Sequence, residues 1–384
     1  MTERSGAPTR SHSAQLGVFT AAKIVSNTAL RWVGPFLPTL ERAFGATTGT
    51  LTGIMGACEL GGLSTIATGR ALDRGHERRL YIAGLAAVSA SSVIALWGSV
   101  AAFAVSFAVL VIGVSNLTVA GHAWIGHRVP FANRGRAIGL FETSWAIALL
   151  VGAPLLALLI KQFGWRGPYT ALAIGAALAA VAVATWIPPG STEEPRTVHD
   201  QVARLPLDAW PPMLAAAFTA AAGLGTFVVS GAWLDDAHGL STGGLGMVAA
   251  GFGMVELVSS TSVAAFGDRI GSRRSVLVGL SVLGTGVLVM LSSGNSRSLA
   301  ITGLLVFLAG FEFAFVSSLT LVTEAAPLAR GRAIGISSAC GTVARAGAVI
   351  ASGQLYEAFG MTGSLTLAGG AAIVAATLAA KSKA

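Results

Sequence analysis

Charge is scarce in this sequence. Its 384 residues include 25 Lys and Arg and 17 Asp and Glu, 11% in all, where an ordinary soluble domain carries roughly 25%. A disordered chain, which stays unfolded because charge outweighs apolar content, is excluded, and a water-soluble globule is disfavoured. Cysteine is almost missing. Cys58 and Cys340 both fall inside apolar stretches, so free thiols are expected rather than a disulfide framework or a metal cluster. There is no G-x-x-x-x-G-K-[ST] phosphate loop, and His122 and His127 are not arranged as H-E-x-x-H. No serine stands beside a histidine in a nucleophile motif. An enzyme is therefore not expected, nor is a bound cofactor.

Apolar residues, by contrast, make up 53% of the chain, and they recur in runs near membrane-spanning length rather than in the short alternating segments of a membrane barrel. Runs punctuated by Gly, Pro and charge predict spans at 15–37, 48–68, 80–98, 102–126, 137–160 and 167–187. A second set follows at 210–233, 242–266, 275–293, 299–324, 333–356 and 362–380. At about 20 residues each, twelve spans leave no room for a sizeable soluble domain. The expected class is an all-α membrane protein of twelve transmembrane helices in two pseudo-symmetric halves. Residues 1–187 form an N-terminal six-helix bundle, 188–208 a polar cytoplasmic linker and 209–384 a C-terminal six-helix bundle. The apolar run after Ser13 is too long, and too interrupted by Lys23 and Arg31, for a cleavable signal; it is expected to be a retained first helix.

The net charge of +8 is spread over short loops, which argues for topology and against a nucleic-acid partner. Arg42, Lys161, Arg166 and Arg297 fall on one side of the spans and Lys23, Arg31 and Arg345 within them; the other 18 of the 25 basic residues fall on the opposite side. Such a bias places both termini in the cytoplasm, in a multi-pass protein of the cytoplasmic membrane. Trp32, Trp165, Trp186, Trp210 and Trp233 sit near span ends, as an interfacial belt requires.

The halves repeat each other. Asp73-Arg74 with Arg78-Arg79 recurs as Asp268-Arg269 with Arg273-Arg274, an offset of 195; RGRAIG at Arg134–Gly139 recurs at Arg330–Gly335, an offset of 196. Parallel repeats with a site at the midplane between them describe a secondary transporter. Over essentially the whole chain the sequence resembles the major facilitator superfamily. GRALDRGHERR, Gly69–Arg79, is similar to that family's signature between helices 2 and 3, and FGDRIGSRR, Phe266–Arg274, to its copy between helices 8 and 9. The resemblance implies that Asp73 engages basic residues and a helix N-terminus of the other half, holding the cytoplasmic side shut. Gly69, Asp73, Arg74, Arg78, Arg79, Asp268, Arg269, Arg273 and Arg274, with Arg134, Arg136, Arg330 and Arg332 of the RGRAIG copies, are the expected conformational latch. The copies depart from the pattern at Gly75, one place early, and at Ala264, where the first copy has Gly69.

An ionisable residue at membrane depth is a functional candidate, because it costs about 2.5–3.5 kcal/mol to insert. Lys23, Asn27 and Arg31 share one face of the first span at i, i+4, i+8, a stripe expected to line an interior cavity. By rise per residue Lys23 lies about 12 Å and Glu59 about 13 Å from the cytoplasmic side, so the two are expected to pair, structurally or as part of a binding site. Glu256 and Glu312 share a depth of about 9–10 Å with no obvious basic neighbour, which suits proton exchange. Arg345, with Ser338 and Thr342 on its face, needs a carboxylate, water or an anionic substrate. Glu142, six residues from Arg136, reads as an interfacial ion-pair residue; Asn116, His122 and Trp145 are weaker candidates. The substrate and proton-coupling set is thus Lys23, Asn27, Arg31, Glu59, Asn116, Trp145, Glu256, Glu312 and Arg345.

With no nucleotide loop, the expected energy source is a proton gradient. Gly310–Arg332 and the short loops look most like bacterial proton antiporters that export drugs and small metabolites, although VGAP, Val151–Pro154, is only a fragment of the exporter signature. The alternatives are a proton-coupled importer of a small organic anion, drawn by Lys23, Arg31 and Arg345, and a non-transporting receptor or scaffold. The expected partners are a small-molecule substrate, protons and the lipid bilayer, with the chain acting as a monomer.

Overall fold

A computed structural model describes residues 12–188 and 205–382; most of the expected linker, with Arg196 and Arg204, lies outside the described residues. The first half comprises α1 (His12–Arg31), α2 (Leu37–Phe44), α3 (Thr48–Glu59), α4 (Thr65–Asp73), α5 (Glu77–Ala95), α6 (Val100–Arg128), α7 (Phe131–Ile147), α8 (Ala153–Phe163) and α9 (Arg166–Trp186). The second comprises α10 (Trp210–Asp236), α11 (Thr242–Ile270), α12 (Ser272–Leu291), α13 (Arg297–Ala325), α14 (Arg330–Phe359) and α15 (Met361–Lys381). There are no strands among the described residues. Among the described residues, nine helical rods are long and apolar enough to cross a membrane. The three rods before them carry Lys23 and Arg31, a glycine break and a Glu-Arg-Arg start.

Three spans expected to be continuous are interrupted, each for a local chemical reason. The first stops at Arg31 and turns through Trp32–Phe36, because Pro35 has no amide hydrogen to continue the ladder; the short α2 then restarts with Pro38 in its first turn. Between α3 and α4 the chain tightens into a 3-10 segment, Leu60–Ser64, at the pair Gly61-Gly62. Between α7 and α8 it widens into a π segment, Ala148–Gly152, immediately before Pro154. The wider turn lets the rod run on past a proline whose missing donor would otherwise break it.

The buried core forks. Its largest cluster runs through both halves, from Trp32, Leu51 and Leu149 to Val229, Phe252 and Leu365. Towards the face carrying the arginine-rich loops it divides in two. One branch, around Phe19, Tyr81, Trp124 and Phe141, belongs wholly to the first half; the other, around Met213, Val322 and Ala333, belongs wholly to the second. At the opposite face helix backbones touch. A side chain at Gly231 on α10 would collide with the Gly34 and Pro35 carbonyls, and one at Gly56 on α3 would lie 2.6 Å from the Ala346 carbonyl of α14. Gly69 and Gly335, near the arginine-rich face, have open space around them. The two halves are therefore sealed at one face and parted at the other.

Overpacking a tight seam costs typically about 1–3 kcal/mol. Gly231→Val is expected to lower the thermal midpoint and to separate the halves at the sealed face, as read by the distance between spin labels on Thr50→Cys and Ala237→Cys in a background without Cys58 and Cys340.

Candidate functional site

Where the core forks, buried charges from both halves meet. Arg31, at the end of α1, reaches across to Glu256 on α11 and grips its carboxylate with both terminal guanidinium nitrogens, the Nη1 contact at 2.7 Å. The same guanidinium donates to the Trp145 carbonyl at 2.8 Å and lies 4.3 Å from the centre of the Trp145 ring and 5.6 Å from that of Phe227. Both side chains of the pair are almost fully enclosed, 5% and 3% exposed. A planar fork with a second acceptor and an aromatic face satisfies a buried arginine as no lysine would.

Nearer the parted face, Lys23 on α1 donates to Glu142 on α7 at 2.7 Å, and His122 on α6 shares the same carboxylate oxygen at 2.8 Å. The lysine is 1% exposed and Glu142 44%, so this carboxylate is the wet member of the group. The Phe141 ring centre lies 4.0 Å from the ammonium. Asn27, one turn along α1, donates to Ser144 at 3.2 Å. Across the fork Glu59, at the end of α3, accepts from Arg345 on α14 at 3.3 Å, with Thr342 as a second acceptor for that arginine at 3.2 Å. Glu59 and Glu256 stand 197 positions apart, close to the repeat spacing, and each answers an arginine of the opposite half.

These pairings correct the expected ones. Lys23 meets Glu142 rather than Glu59, and Glu142 is tied to Lys23 and His122 rather than to Arg136. Glu256, expected to lack a basic neighbour, holds Arg31. Glu312 on α13 accepts from Ser260 at 2.8 Å and, among the described residues, has no cation within ion-pair distance. Asn116 is spent within the first half, donating to Ser64 and the Ile112 carbonyl and accepting from Thr68. Sequence reasoning missed Ser144, Ser260 and Phe227. A hydroxyl or ring among many in apolar helices carries no signal until its partner is placed.

Of the expected latch, the side chains of Asp73 and Asp268 lie outside the described residues. Arg78 donates to the Ala184 carbonyl at 2.6 Å and Arg134 to the Val129 carbonyl at 2.9 Å, both within the first half. Arg74, Arg79, Arg136, Arg269, Arg273, Arg274, Arg330 and Arg332 are exposed. Further polar contacts between the halves lie at the sealed face. There Arg42 pairs with Asp235 at 2.5 Å, and Glu357 on α14 accepts the Gly49 amide, in the first turn of α3, at 2.7 Å.

A family model described as the Major Facilitator Superfamily matches residues 19–231 and again 213–382. An uncharacterized MFS-type transporter of Bacillus subtilis (strain 168), YwfA, is 29% identical over 139 residues, 35% of this chain and 33% of that protein. The chain thus aligns with about a third of the length of that relative. Among solved structures, a bacterial homologue of the human lysosomal transporter Spinster, inward-facing and unoccupied, has a TM-score of 0.78 at 16% identity, covering 98% of each chain. A D-xylose–proton symporter also has a TM-score of 0.78, at 15% identity, with 96% of this chain and 97% of that one covered. A peptide transporter in complex with alafosfalin has a TM-score of 0.75 at 15% identity, with 97% and 96% covered. At these identities the likeness is one of fold.

Proposed function

The chain belongs to the major facilitator superfamily, a secondary transporter and not an enzyme, and from that premise we propose that it exports a small amphipathic molecule by proton-coupled alternating access. The forked core carries this reading. Two bundles, for which the sequence supports the bounds 1–187 and 209–384 with the linker 188–208, and whose described residues are sealed at one face and parted at the other, are one of the two end states that such a cycle needs. The arginine bias supports a cytoplasmic parted face, and so an inward-facing state with both termini in the cytoplasm and the protein in the cytoplasmic membrane. The latch residues then belong to the opposite end state, in which the arginine-rich loops close.

Pairing within the fork favours export of a neutral or cationic molecule over import of an organic anion. Lys23, Arg31 and Arg345 each already hold a carboxylate, so an anion arriving there would have to displace one. Glu312, with no cation at ion-pair distance among the described residues, is the carboxyl left to meet a cation. Lys23, Asn27, Arg31, Glu59, Trp145, Glu256, Glu312 and Arg345 form the proposed substrate and proton site, Asn116 supporting it from within the first half. No cofactor takes part, and a single chain suffices for the cycle.

A ligand that binds the folded protein raises its stability by RT ln(1 + [L]/Kd), about 2.7 kcal/mol at a hundred times Kd. Lipophilic cations are expected to raise the thermal midpoint of the purified protein and organic anions to leave it unmoved. Glu312→Gln is expected to weaken the response to cations at least about tenfold in apparent Kd, or about 1.4 kcal/mol. Stabilisation by organic anions alone would reverse the assignment in favour of import.

A further inference from the structure

The sealed face is unusually rich in acid. Glu41 on α2 accepts a hydrogen bond from Thr48 at the start of α3. Asp235 and Asp236 end α10, and Tyr356 on α14 donates to Asp236 at 2.9 Å. Glu357, next in sequence, caps α3 through the Gly49 amide, and Gln354 donates to the Gly49 carbonyl at 3.2 Å. Among the described residues the cluster sets one arginine, Arg42, which Asp235 occupies, against four carboxylates. His238, in the loop after α10, packs instead on Trp233, and its carbonyl accepts from Arg297. Arg42, next to Glu41, pairs with Asp235 of the second half, and Gly49, next to Thr48, donates to Glu357 of the second half, so Glu41 stands at the seam where the carboxylates of the two halves meet.

We propose that this face is a proton-operated clasp, in which Glu41 takes up a proton as the two halves close on each other and releases it as they part. The inference rests on the alternating-access reading above but concerns a group distant from the transport site. Burial pushes the Glu41 carboxyl above its ordinary range; Asp236 and Asp235 push the same way, while the Thr48 hydroxyl and Arg42 oppose them. The sign follows from linkage. A group whose proton is held more tightly in the closed form favours closure below its open-state value, and that preference is lost as pH rises through its closed-state value. The working window therefore starts in the ordinary carboxylate range, near 4.3, and extends upward. An acidic compartment on this side would hold the face shut and keep the protein open towards the other, ready to load there.

The test uses the full chain in lipid nanodiscs, with spin labels on Thr50→Cys and Ala237→Cys in the background lacking Cys58 and Cys340, titrated between pH 4 and 8. In the otherwise unaltered protein the short-distance population is expected to grow as pH falls. Glu41→Gln, which keeps an acceptor for Thr48 and cannot ionise, is expected to hold the short distance across the whole range. Asp236→Asn removes one repelling charge and is expected to move the midpoint to lower pH by roughly half a unit or more. Glu41→Gln titrating like the parent, or a flat parent profile while Gly231→Val still lengthens the distance, overturns the clasp and leaves alternating access standing. A distance that neither pH nor Gly231→Val changes overturns both.

Discussion

Glu256→Gln is expected to lose nearly all transport and much of its stability. The substitution leaves Arg31 buried with its charge unanswered, because a guanidinium does not readily discharge by losing its proton. Removing one partner of an enclosed ion pair costs typically about 3–5 kcal/mol, a large share of the roughly 5–15 kcal/mol that separates folded from unfolded for a typical domain. The Trp145 carbonyl and the two aromatic rings beside Arg31 soften this loss without cancelling it. The double variant Arg31→Met with Glu256→Leu removes both charges and is expected to recover most of the thermal midpoint while remaining inactive in proteoliposomes, since hydrophobic replacement of a buried pair is often neutral or stabilising. If the double variant transports normally, the pair is a fastening and not part of the machinery.

Glu142→Gln is expected to behave differently, although this residue too answers a buried cation. Its side chain is 44% exposed, so water reaches the site, and the cation it leaves behind is a lysine, which can give up its proton. The stability loss should therefore be smaller than for Glu256→Gln. Coupling should suffer more. One carboxylate oxygen joins Lys23, deep in the first half, to His122, 39% exposed, and an amide cannot carry a proton between them. Transport driven by an imposed pH gradient is expected to fall at least about tenfold, or about 1.4 kcal/mol in barrier, while substrate exchange without a gradient continues. Equal loss of both activities would place Glu142 in substrate binding alone.

How much of this was legible beforehand differs between scaffold and site. Apolar runs placed nine long rods among the described residues to within three residues at every end but one, because bilayer thickness dictates their length, and the repeated Asp-Arg and RGRAIG segments exposed the internal symmetry. Partners inside the membrane were misassigned for a geometric reason. The edges of the apolar runs understate depth, because the helices project beyond them: α7 begins at Phe131 and not 137, and α4 ends at Asp73 and not 68. Counted from the true ends, Lys23 and Glu142 each stand eleven residues into their helices, about 16 Å. Likewise Glu59 stands fourteen residues from the end of α4 and Arg345 fifteen from the start of α14, about 21 and 22 Å. Nothing in the sequence distinguished Glu41, Asp235, Asp236 and Glu357 from ordinary loop charges; only the meeting of α2, α3, α10 and α14 does that.

The glycine contacts at Gly231 and Gly56 have a mechanical corollary. In hydrocarbon there is no gain from hiding one apolar surface against another, so two helices stay together there through dispersion and fit. Contacts of main chain on main chain have no long side chains to stretch across a widening gap, and a gap of about 0.5–1 Å already forfeits about a quarter to a half of their attraction. Such a joint yields abruptly, and the lateral pressure of the surrounding lipid weighs directly on which way it falls. Acyl-chain length and saturation should accordingly tune how often this protein turns over, even where no lipid occupies a specific site.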